Sequence, residues 1–189
     1  MFIVGKNEKA ELLNRLLAEY RGTILVFSRT KHGAKKIARQ IRDMGHSAAE
    51  IHSNRSQSQR QEALKGFSNG KYRVMVATDI AARGIDIEDI SHVINFDIPN
   101  TPDDYVHRIG RTARVEATGD AFILMDRDEE PIVQQIEQAL KLTLPRITLP
   151  NFDYKSGGAP RPHDQHRRHG PPRHRPDRGR QRHPGRHQS

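Results

Sequence analysis

Three arginines at intervals of three residues are the feature of this sequence best suited to chemistry. Arg108, Arg111 and Arg114 lie in the segment HRIGRTAR, and a helical turn would bring them to one face. Guanidinium groups that close repel one another unless an anion lies between them, and their planar forks match phosphate oxygens in bidentate fashion. The spacing therefore predicts a phosphate site. For an arbitrary R-x-x-R pair, a solvent-exposed basic helix face would be the better interpretation.

A second group of polar residues follows an apolar run at residues 74–77. The segment VATDIAARGID has the form of a buried strand end that continues into a loop, and it carries a hydroxyl, a carboxylate, an arginine and a glycine. The glycine would let a ligand approach the backbone closely. We interpret this segment as a second phosphate-type site, joined to the arginines by one strand.

The elements that would position these two segments alternate along the chain. Apolar, β-branched runs predict strands, and apolar residues at helical spacing predict helices between them. The predicted strands are residues 2–4, 23–27, 73–77, 92–96 and 120–125, and a short segment at residues 47–51 precedes one of the predicted helices. This alternation favours an α/β fold with a mostly parallel sheet, right-handed crossovers and helices on both faces. Ligands of such sheets bind beyond the carboxyl ends of strands, where residues 28–30, 78–86 and 107–114 fall.

Two threonines stand where helices are expected to begin. Thr101 precedes Pro102 and has a carboxylate three residues later, which is the pattern of an N-cap. Thr30 follows a predicted strand, and a helix starting after it would direct its amide dipoles toward a phosphate. Thr30 is therefore either a plain N-cap or part of a phosphate contact, and the residues favour neither.

Four segments, in the right order, resemble motifs of DEAD-box RNA helicases. ATDIAARGID and HRIGRTAR resemble the fifth and sixth motifs, ILVFSRT resembles the fourth, and HSNRSQSQR resembles its companion in the form seen in the bacterial RhlE-like branch. The resemblance runs from about Phe2 to Tyr154, and four motifs in order are far more specific than any one alone. It implies a three-layer RecA-like domain from an enzyme that uses ATP to unwind RNA duplexes locally.

The resemblance implies roles for individual residues of the arginine segment. Arg111 and Arg114 would be the catalytic arginine fingers that stabilise charge on the γ-phosphate of ATP, and His107 would touch a partner domain and couple the sites. A buried structural histidine is the alternative for His107. Ala113 stands where the family usually has glycine. A positive φ there would strain alanine, whereas a helical conformation would favour it.

The same resemblance implies two binding surfaces. The nucleotide-binding residues would be Gly84, Asp86, Arg111 and Arg114. Asp86 would accept a hydrogen bond from the ribose, and an ordinary turn residue is the alternative. The RNA-binding residues would be Thr30, Gln57, Arg60, Thr78, Asp79, Arg83 and Gly84. Contacts of this kind read the backbone and its 2′-hydroxyls, so little sequence preference is expected.

The sequence lacks the parts that would hold the triphosphate. A P-loop needs Gly-x4-Gly-Lys-Ser/Thr, and Gly5-Lys6-Asn7 has neither the first glycine nor the hydroxyl. No DEAD-type acidic box is present. We therefore expect the chain to be the second of two RecA-like domains and inactive alone, with ATP and Mg²⁺ bound mainly by an N-terminal RecA-like partner domain of the same enzyme.

Two other functions are alternatives to a helicase domain. A non-catalytic RNA-binding module, working without ATP, would use the same basic surface. A small-molecule Rossmann enzyme is disfavoured, because no Gly-x-Gly-x-x-Gly follows the first strand.

Charge is distributed unevenly along the 189 residues, whose net charge is +9. Residues 155–189 hold ten Lys or Arg against two Asp, whereas residues 1–154 are nearly neutral. The last 35 residues contain no Leu, Ile, Val, Met, Phe, Tyr or Trp, so they bury too little apolar surface to fold. We predict one domain over 1–154 and a disordered basic tail over 155–189 that tethers RNA. Metal binding by its six histidines is a weaker alternative, because their spacing is irregular.

Composition also bears on the compartment. There is no cysteine, which removes any disulfide framework and any thiolate metal site. No apolar run approaches the length needed to span a bilayer, and the N-terminal apolar segment is too short for a signal peptide. We expect a soluble cytoplasmic protein that contacts no membrane and holds no metal site of its own.

Overall fold

A six-stranded parallel sheet forms the middle layer of the protein. The computed structural model describes residues 1–83, 90–112 and 119–155. The strands are β1 (Phe2–Ile3), β2 (Ile24–Phe27), β3 (Ala48–Ile51), β4 (Val74–Ala77), β5 (His92–Asn95) and β6 (Asp120–Met125). Their order is β1-β6-β5-β2-β4-β3, and every pair of neighbours is parallel. The predicted parallel sheet is confirmed, and the carboxyl ends of its strands lie at one edge.

Helices cover both faces of this sheet, as the sequence predicts. They are α1 (Lys9–Glu19), α2 (Lys31–Asp43), α3 (Gln57–Ser68), α4 (Asp79–Ala82), α5 (Pro102–Ile109) and α6 (Glu130–Leu140), with a 3-10 turn at Arg127–Glu129. Apolar side chains of α1 and α2 share one buried cluster. Those of α3 and α4 belong to a second cluster, and those of α5 and α6 to a third. Three layers result.

The central strands are buried on both faces, which is why their sequences do not alternate in polarity. Ile24 and Val26 of β2 belong to the cluster of α1 and α2. Leu25 and Phe27 point the other way, into the cluster of α3 and α4. Since both faces are covered by helices, an uninterrupted apolar run is the pattern expected of such a strand.

Helix α4 corrects one sequence prediction, because the residues after β4 were expected to form a loop. Asp79–Ala82 make a single helical turn, in which the amide of Ala82 donates to the carbonyl oxygen of Thr78 at 2.8 Å. Ala81 and Ala82 are strong helix formers, and both are buried against the sheet. Packing of this short apolar face stabilises a turn that is too short to show helical periodicity.

The predicted helix starts at the two threonines are confirmed. The hydroxyl oxygen of Thr30 accepts from the amide of Gly33 at 2.9 Å, and that of Thr101 accepts from the amide of Asp104 at 3.1 Å. Each satisfies an amide that the first turn of a helix leaves without a partner. Helix α3 begins with a capping box between Ser56 and Gln59.

The described chain after α6 returns to the first strand. The amide of Ile147 donates to the carbonyl oxygen of Met1 at 2.8 Å, and Arg146 pairs with Glu130 and Glu137 on α6. The predicted tail beyond Lys155 lies outside the described residues. Within the described ranges, no helix combines the length and the apolarity needed to cross a membrane.

Candidate functional site

Four segments with polar side chains meet at the carboxyl edge of the sheet. Residues 28–30 follow β2, residues 52–56 follow β3, residues 78–83 follow β4, and α5 lies in the connection after β5. Because β5, β2, β4 and β3 are neighbours in that order, these segments form one continuous surface. This is where ligands of open parallel sheets bind.

Arg108 does not share an exposed face with Arg111, which corrects the first interpretation of the arginine segment. Its side chain is 1% exposed. Its Nε and Nη2 donate to the two carboxylate oxygens of Asp79 at 2.6 and 2.9 Å. Nη1 donates to Oδ1 of Asn95 at 2.8 Å and to the carbonyl oxygen of Asp97 at 2.7 Å. The anion that this arginine needs is therefore an internal carboxylate.

Phe27 completes the surroundings of Arg108. The guanidinium carbon lies 4.9 Å from the centroid of the Phe27 ring, within the range of a cation–π contact. Burial of a charge is tolerated where an opposite charge and hydrogen bonds satisfy it, and Arg108 has both. Arg108, the first arginine of HRIGRTAR, is thus a buried structural residue at the end of α5.

Arg111 and His107 border a small concave pocket beside this ion pair. Helix α5 ends at Ile109, so Arg111 lies in the turn that follows. His107 is exposed, so the alternative of a buried structural histidine is wrong. The pocket is lined by Phe27, Asp79, Ala82, Arg83, Asp104, His107, Arg108 and Arg111. With three arginines and two aspartates, its lining has a positive charge balance that suits an anion.

Arg83 borders the same pocket from the side of α4. Its Nη2 donates to Oδ1 of Asp104 at 3.2 Å, while 68% of the Arg83 side chain stays exposed. A second ion pair therefore joins the same two helices, but in contact with solvent. Exposed pairs of this kind contribute little to stability. Because most of the Arg83 side chain is exposed, it remains accessible to a ligand.

The predicted RNA-binding residues outside this pocket lie on the adjoining part of the edge. Thr30 and Gln57 are exposed at the starts of α2 and α3. Nη2 of Arg60 donates to the carbonyl oxygen of Ala81 at 3.3 Å, which links α3 to α4. Thr78 is only 8% exposed. These four residues therefore lie side by side at the ends of β2, β4 and β3. The side chain of Thr78 is largely buried.

Three predicted site residues lie outside the described residues. They are Gly84 and Asp86, expected to bind nucleotide, and Arg114, expected to act beside Arg111. Ala113, which replaces the usual glycine, lies outside them as well.

Two residues that organise the site were missed by sequence reasoning. Oδ1 of Asn95 accepts a hydrogen bond from Arg108, and its Nδ2 donates to the carbonyl oxygen of Phe122 at 3.3 Å. One carboxylate oxygen of Asp97 accepts from the Ser28 hydroxyl and from the Arg29 amide, both at 2.9 Å. The sequence does contain a signal for these two residues, because an asparagine and an aspartate interrupt the end of the apolar run HVINFD. Polar side chains at the end of a buried strand need hydrogen-bond partners, so these two residues could have been expected to bind other parts of the site.

A buried carboxylate, Glu50, lies near the end of β3. It pairs with Arg42 and Arg55, and the buried ring of His52 has its Nε2 at 3.8 Å from Oε1 of Glu50. Burial lowers the pKa of His52 below its usual value, Glu50 opposes this shift, and Arg55 adds to it. His52 is therefore held neutral in the fold at neutral pH. Among the residues that the structure describes, no cluster of three His, Cys, Asp or Glu could hold a metal ion.

Comparison with known proteins identifies this arrangement. The helicase conserved C-terminal domain matches residues 8–116. CshA of Bacillus subtilis, a DEAD-box ATP-dependent RNA helicase, is 40% identical over 151 residues. The chain belongs to the family of DEAD-box helicase C-terminal domains. The RNA helicase CrhR of Synechocystis is 42% identical to this helicase domain over 144 residues.

Solved structures agree with this assignment. Escherichia coli SrmB, a DEAD-box protein crystallised with the regulator RraA, has a TM-score of 0.74 and 34% identity, covering 78% of this chain and 88% of that one. A DEAD-box protein from Methanococcus jannaschii has the same TM-score and 40% identity, covering 78% of this chain and 40% of that one. The RecA-like fold implied by the motifs is confirmed.

The helicase domain is shorter than its curated relatives. The match to CshA covers 79% of this chain and 31% of the relative, and the match to CrhR covers 76% and 29%. The chain thus spans about a third of those proteins.

Proposed function

We propose that this domain supplies arginine fingers to ATP held by an N-terminal RecA-like domain, within an enzyme that locally unwinds RNA duplexes. The observation that carries the proposal is the position of Arg111. It borders a basic pocket at the carboxyl edge of the sheet, next to the segments expected to bind RNA. A second domain closing on that edge would meet both surfaces at once.

In this proposal, Arg111 and Arg114 stabilise the charge that develops on the transferred γ-phosphoryl group. Such arginines, when supplied by a neighbouring domain or protein, raise the rate by roughly 10³ to 10⁵. ATP and Mg²⁺ would be held mainly by the N-terminal domain. Gly84 and Asp86 would complete the nucleotide site, with Asp86 accepting from the ribose. The exposure of His107 supports its proposed contact with the N-terminal domain.

The RNA surface would comprise Thr30, Gln57, Arg60, Thr78, Asp79, Arg83 and Gly84. Support comes from the contiguity of β2, β4 and β3 and from the exposure of Thr30, Gln57 and Arg83. Asp79 would act through its helix, since its carboxylate already accepts from Arg108. Closure of two domains around ATP and RNA would be the mechanical step.

The domain boundary and the branch of the family are also part of the proposal. Residues 1–154 would be the domain and residues 155–189 a basic tether for RNA, which the concentration of cations in the last 35 residues supports. The RhlE-like branch is supported by Asn54 in the segment HSNRSQSQR. Oδ1 of Asn54 accepts from Nζ of Lys31 at 3.1 Å, which ties the turn after β3 to the start of α2.

Reconstitution from separate domains tests the proposed function. The chain alone is expected to show no ATP hydrolysis with or without RNA, and addition of the separately made N-terminal domain is expected to produce RNA-stimulated hydrolysis. RNA binding by the chain, with no hydrolysis in the mixture under any condition, would instead favour a non-catalytic RNA-binding module.

A further inference from the structure

We propose that the outer edge of β3 is a docking site for an extended, acidic segment of a partner protein, which adds to the sheet as a further strand. The residues that select this partner are Arg42, Glu50 and Arg55. The inference goes beyond the proposed function, because this surface lies away from Arg111 and its binding needs neither ATP nor RNA.

The position of β3 in the sheet is the first observation. It is the last strand in the order, with β4 as its neighbour, whereas β1 at the opposite end is bridged to Ile147. In the part of the chain that the structure describes, no strand pairs with the outer side of β3. Exposed strand edges bind extended peptides through main-chain hydrogen bonds.

The hydrogen bonds to β4 show which main-chain groups of β3 face outward. The amide of Thr78 donates to the carbonyl oxygen of Ile51 at 3.3 Å, and in a parallel strand every second residue bonds to the same neighbour. Ile51 and Ala49 therefore face β4. The amides and carbonyls of Ala48 and Glu50, between and before them, face away from it.

A groove of about 300 Å³ lies beside this edge, between α2 and α3. β3 contributes Ala48, Ala49 and Glu50 to its lining, while α2 contributes Arg42 and α3 contributes Ala63. Because the alanine side chains are small, another chain can approach the main chain of β3 closely. The groove therefore suits an extended segment better than a helix.

Charge around the groove indicates what this segment carries. Arg42 and Arg55 both pair with Glu50, whose side chain is 2% exposed, and the two arginine side chains are 44% and 34% exposed. Two guanidinium groups against one carboxylate leave a positive charge beside the edge. On the α3 side, Glu62 has its own partner in Lys71. An anionic side chain facing α2 therefore complements the groove.

Arg42 also makes the edge selective. Its Nη1 donates to the carbonyl oxygen of Ala48 at 3.2 Å and to Oε2 of Glu50 at 3.3 Å. A covered carbonyl and a buried charge on an edge strand both discourage unspecific strand pairing. An added strand has to replace Arg42 at Ala48 with a main-chain amide and offer the displaced guanidinium a new acceptor. A carboxylate on the same segment supplies that acceptor.

Hydrogen exchange measured by nuclear magnetic resonance on the whole chain tests the proposal, with the peptide acetyl-VEVEV-amide as the probe. In an extended conformation its carboxylates all lie on one side. Binding should slow the exchange of the outward amides of Ala48 and Glu50. The amides of Ala49 and Ile51, which already face β4, should change little. The charge-reversed peptide acetyl-VKVKV-amide should not bind.

Two variants test the residues of the groove. Arg42→Met removes the guanidinium and leaves Glu50 paired with Arg55, and it should weaken binding of the acidic peptide about tenfold, the effect of one charge-assisted hydrogen bond. Ala48→Pro removes an outward amide, which an edge strand tolerates, and should also weaken binding. The second variant serves if the first does not fold. Arg15→Met, at an exposed arginine of α1, is the matched control and should bind like the parent chain.

The contrary outcomes are equally definite. Unchanged exchange at Ala48 and Glu50 with millimolar acidic peptide, equal binding of the lysine peptide, or parent-like binding by both variants would overturn the proposal. Displacement of the peptide by a short oligouridylate would overturn it too, because the groove would then belong to the RNA surface. None of these results depends on ATP hydrolysis by the mixed domains, so the proposed function is tested separately.

Discussion

Arg108 and Asp79, 29 residues apart in the chain, form a bidentate ion pair with N–O distances of 2.6 and 2.9 Å. The pair closes the contact between α4 and α5 beneath the candidate site. Because the Arg108 side chain is 1% exposed and that of Asp79 is 20% exposed, removal of one partner would leave a charge with little access to water.

This ion pair predicts that removing one partner destabilises the fold more than replacing both partners by apolar residues. Asp79→Ala should lower the free energy of unfolding by about 3 kcal/mol, the lower end for a buried pair because Asp79 is partly exposed. The double variant Asp79→Leu with Arg108→Met should recover only part of that loss, because no charge remains buried but Oδ1 of Asn95 and the carbonyl oxygen of Asp97 lose their donor. Urea unfolding measures both. Equal losses in the single and double variants would contradict this explanation.

The N-cap at Thr30 allows its structural role and its proposed RNA role to be measured separately. Thr30→Ala should lower the free energy of unfolding by about 1 kcal/mol, because it removes the acceptor for the Gly33 amide. Thr30→Asp should preserve stability, since aspartate is an equally good cap. It should nevertheless weaken RNA binding, because it places a negative charge beside the phosphates.

Thr30→Ser is the control for this comparison. It keeps the hydroxyl acceptor and should retain both stability and RNA affinity. If Thr30→Asp bound RNA as tightly as the parent chain, Thr30 would be a plain N-cap and not part of the RNA surface.

Stability should decrease on mild acidification, and His52 gives the reason. Burial holds the pKa of His52 below its usual value, and burial does the same for His46. Below about pH 6.5 the unfolded chain binds protons at these rings and the folded chain does not. The free energy of unfolding should therefore fall from pH 6.5 downward until the folded pKa values are reached.

Urea unfolding of the parent chain and of His52→Gln across this pH range measures the effect. The variant should show a weaker pH dependence, and His46→Gln with His52→Gln a weaker one still. The carboxyls of Asp126 and Glu137 have lowered pKa values, so their contribution is lost only in more acidic solution. An unchanged slope in the double variant would show that other groups cause the dependence.

The basic tail predicts a dependence on salt. Deletion of residues 156–189 removes nine arginines and keeps Lys155, whose amide donates to Oε1 of Glu8 at 2.6 Å. RNA affinity should fall for all sequences alike. The slope of log affinity against log salt should flatten by about 0.7 for each phosphate no longer neutralised. Thermal stability should change little, because the deleted residues offer almost no apolar surface to bury.

Six histidines in the same tail add a dependence on pH. Their protonation near pH 6 should strengthen RNA binding, since the unperturbed imidazole titrates near 6.5, and the effect should vanish with the deletion. An equal salt slope in the intact and shortened chains would assign the electrostatic contact to the folded domain.

Local signals account for the part of this fold that the sequence predicted. The N-caps at Thr30 and Thr101 depend on residues within one turn, and the uninterrupted apolar run at residues 24–27 reflects burial on both faces of β2. Helix α4 escaped prediction because a single turn, stabilised by packing of Ala81 and Ala82, has no periodicity to detect.

Long-range pairing limited the prediction of the site. The spacing of Arg108 and Arg111 is compatible with one shared anion, and nothing within the segment HRIGRTAR indicates that Asp79 takes the first arginine inward. The roles of Asn95 and Asp97 in this network were missed for the same reason. Their partners come from neighbouring strands and helices, which only the order of the sheet brings together.

RNA-stimulated hydrolysis by the mixed domains tests most directly whether Arg111 acts on ATP held by another domain. Arg111→Ala should reduce the rate about 10³-fold or more, while its circular dichroism spectrum remains that of the folded parent chain. The control is Arg39→Ala, which removes an exposed arginine of α2 outside the candidate site and should hydrolyse ATP like the parent chain. Parent-like hydrolysis by Arg111→Ala would show that Arg111 is not an arginine finger.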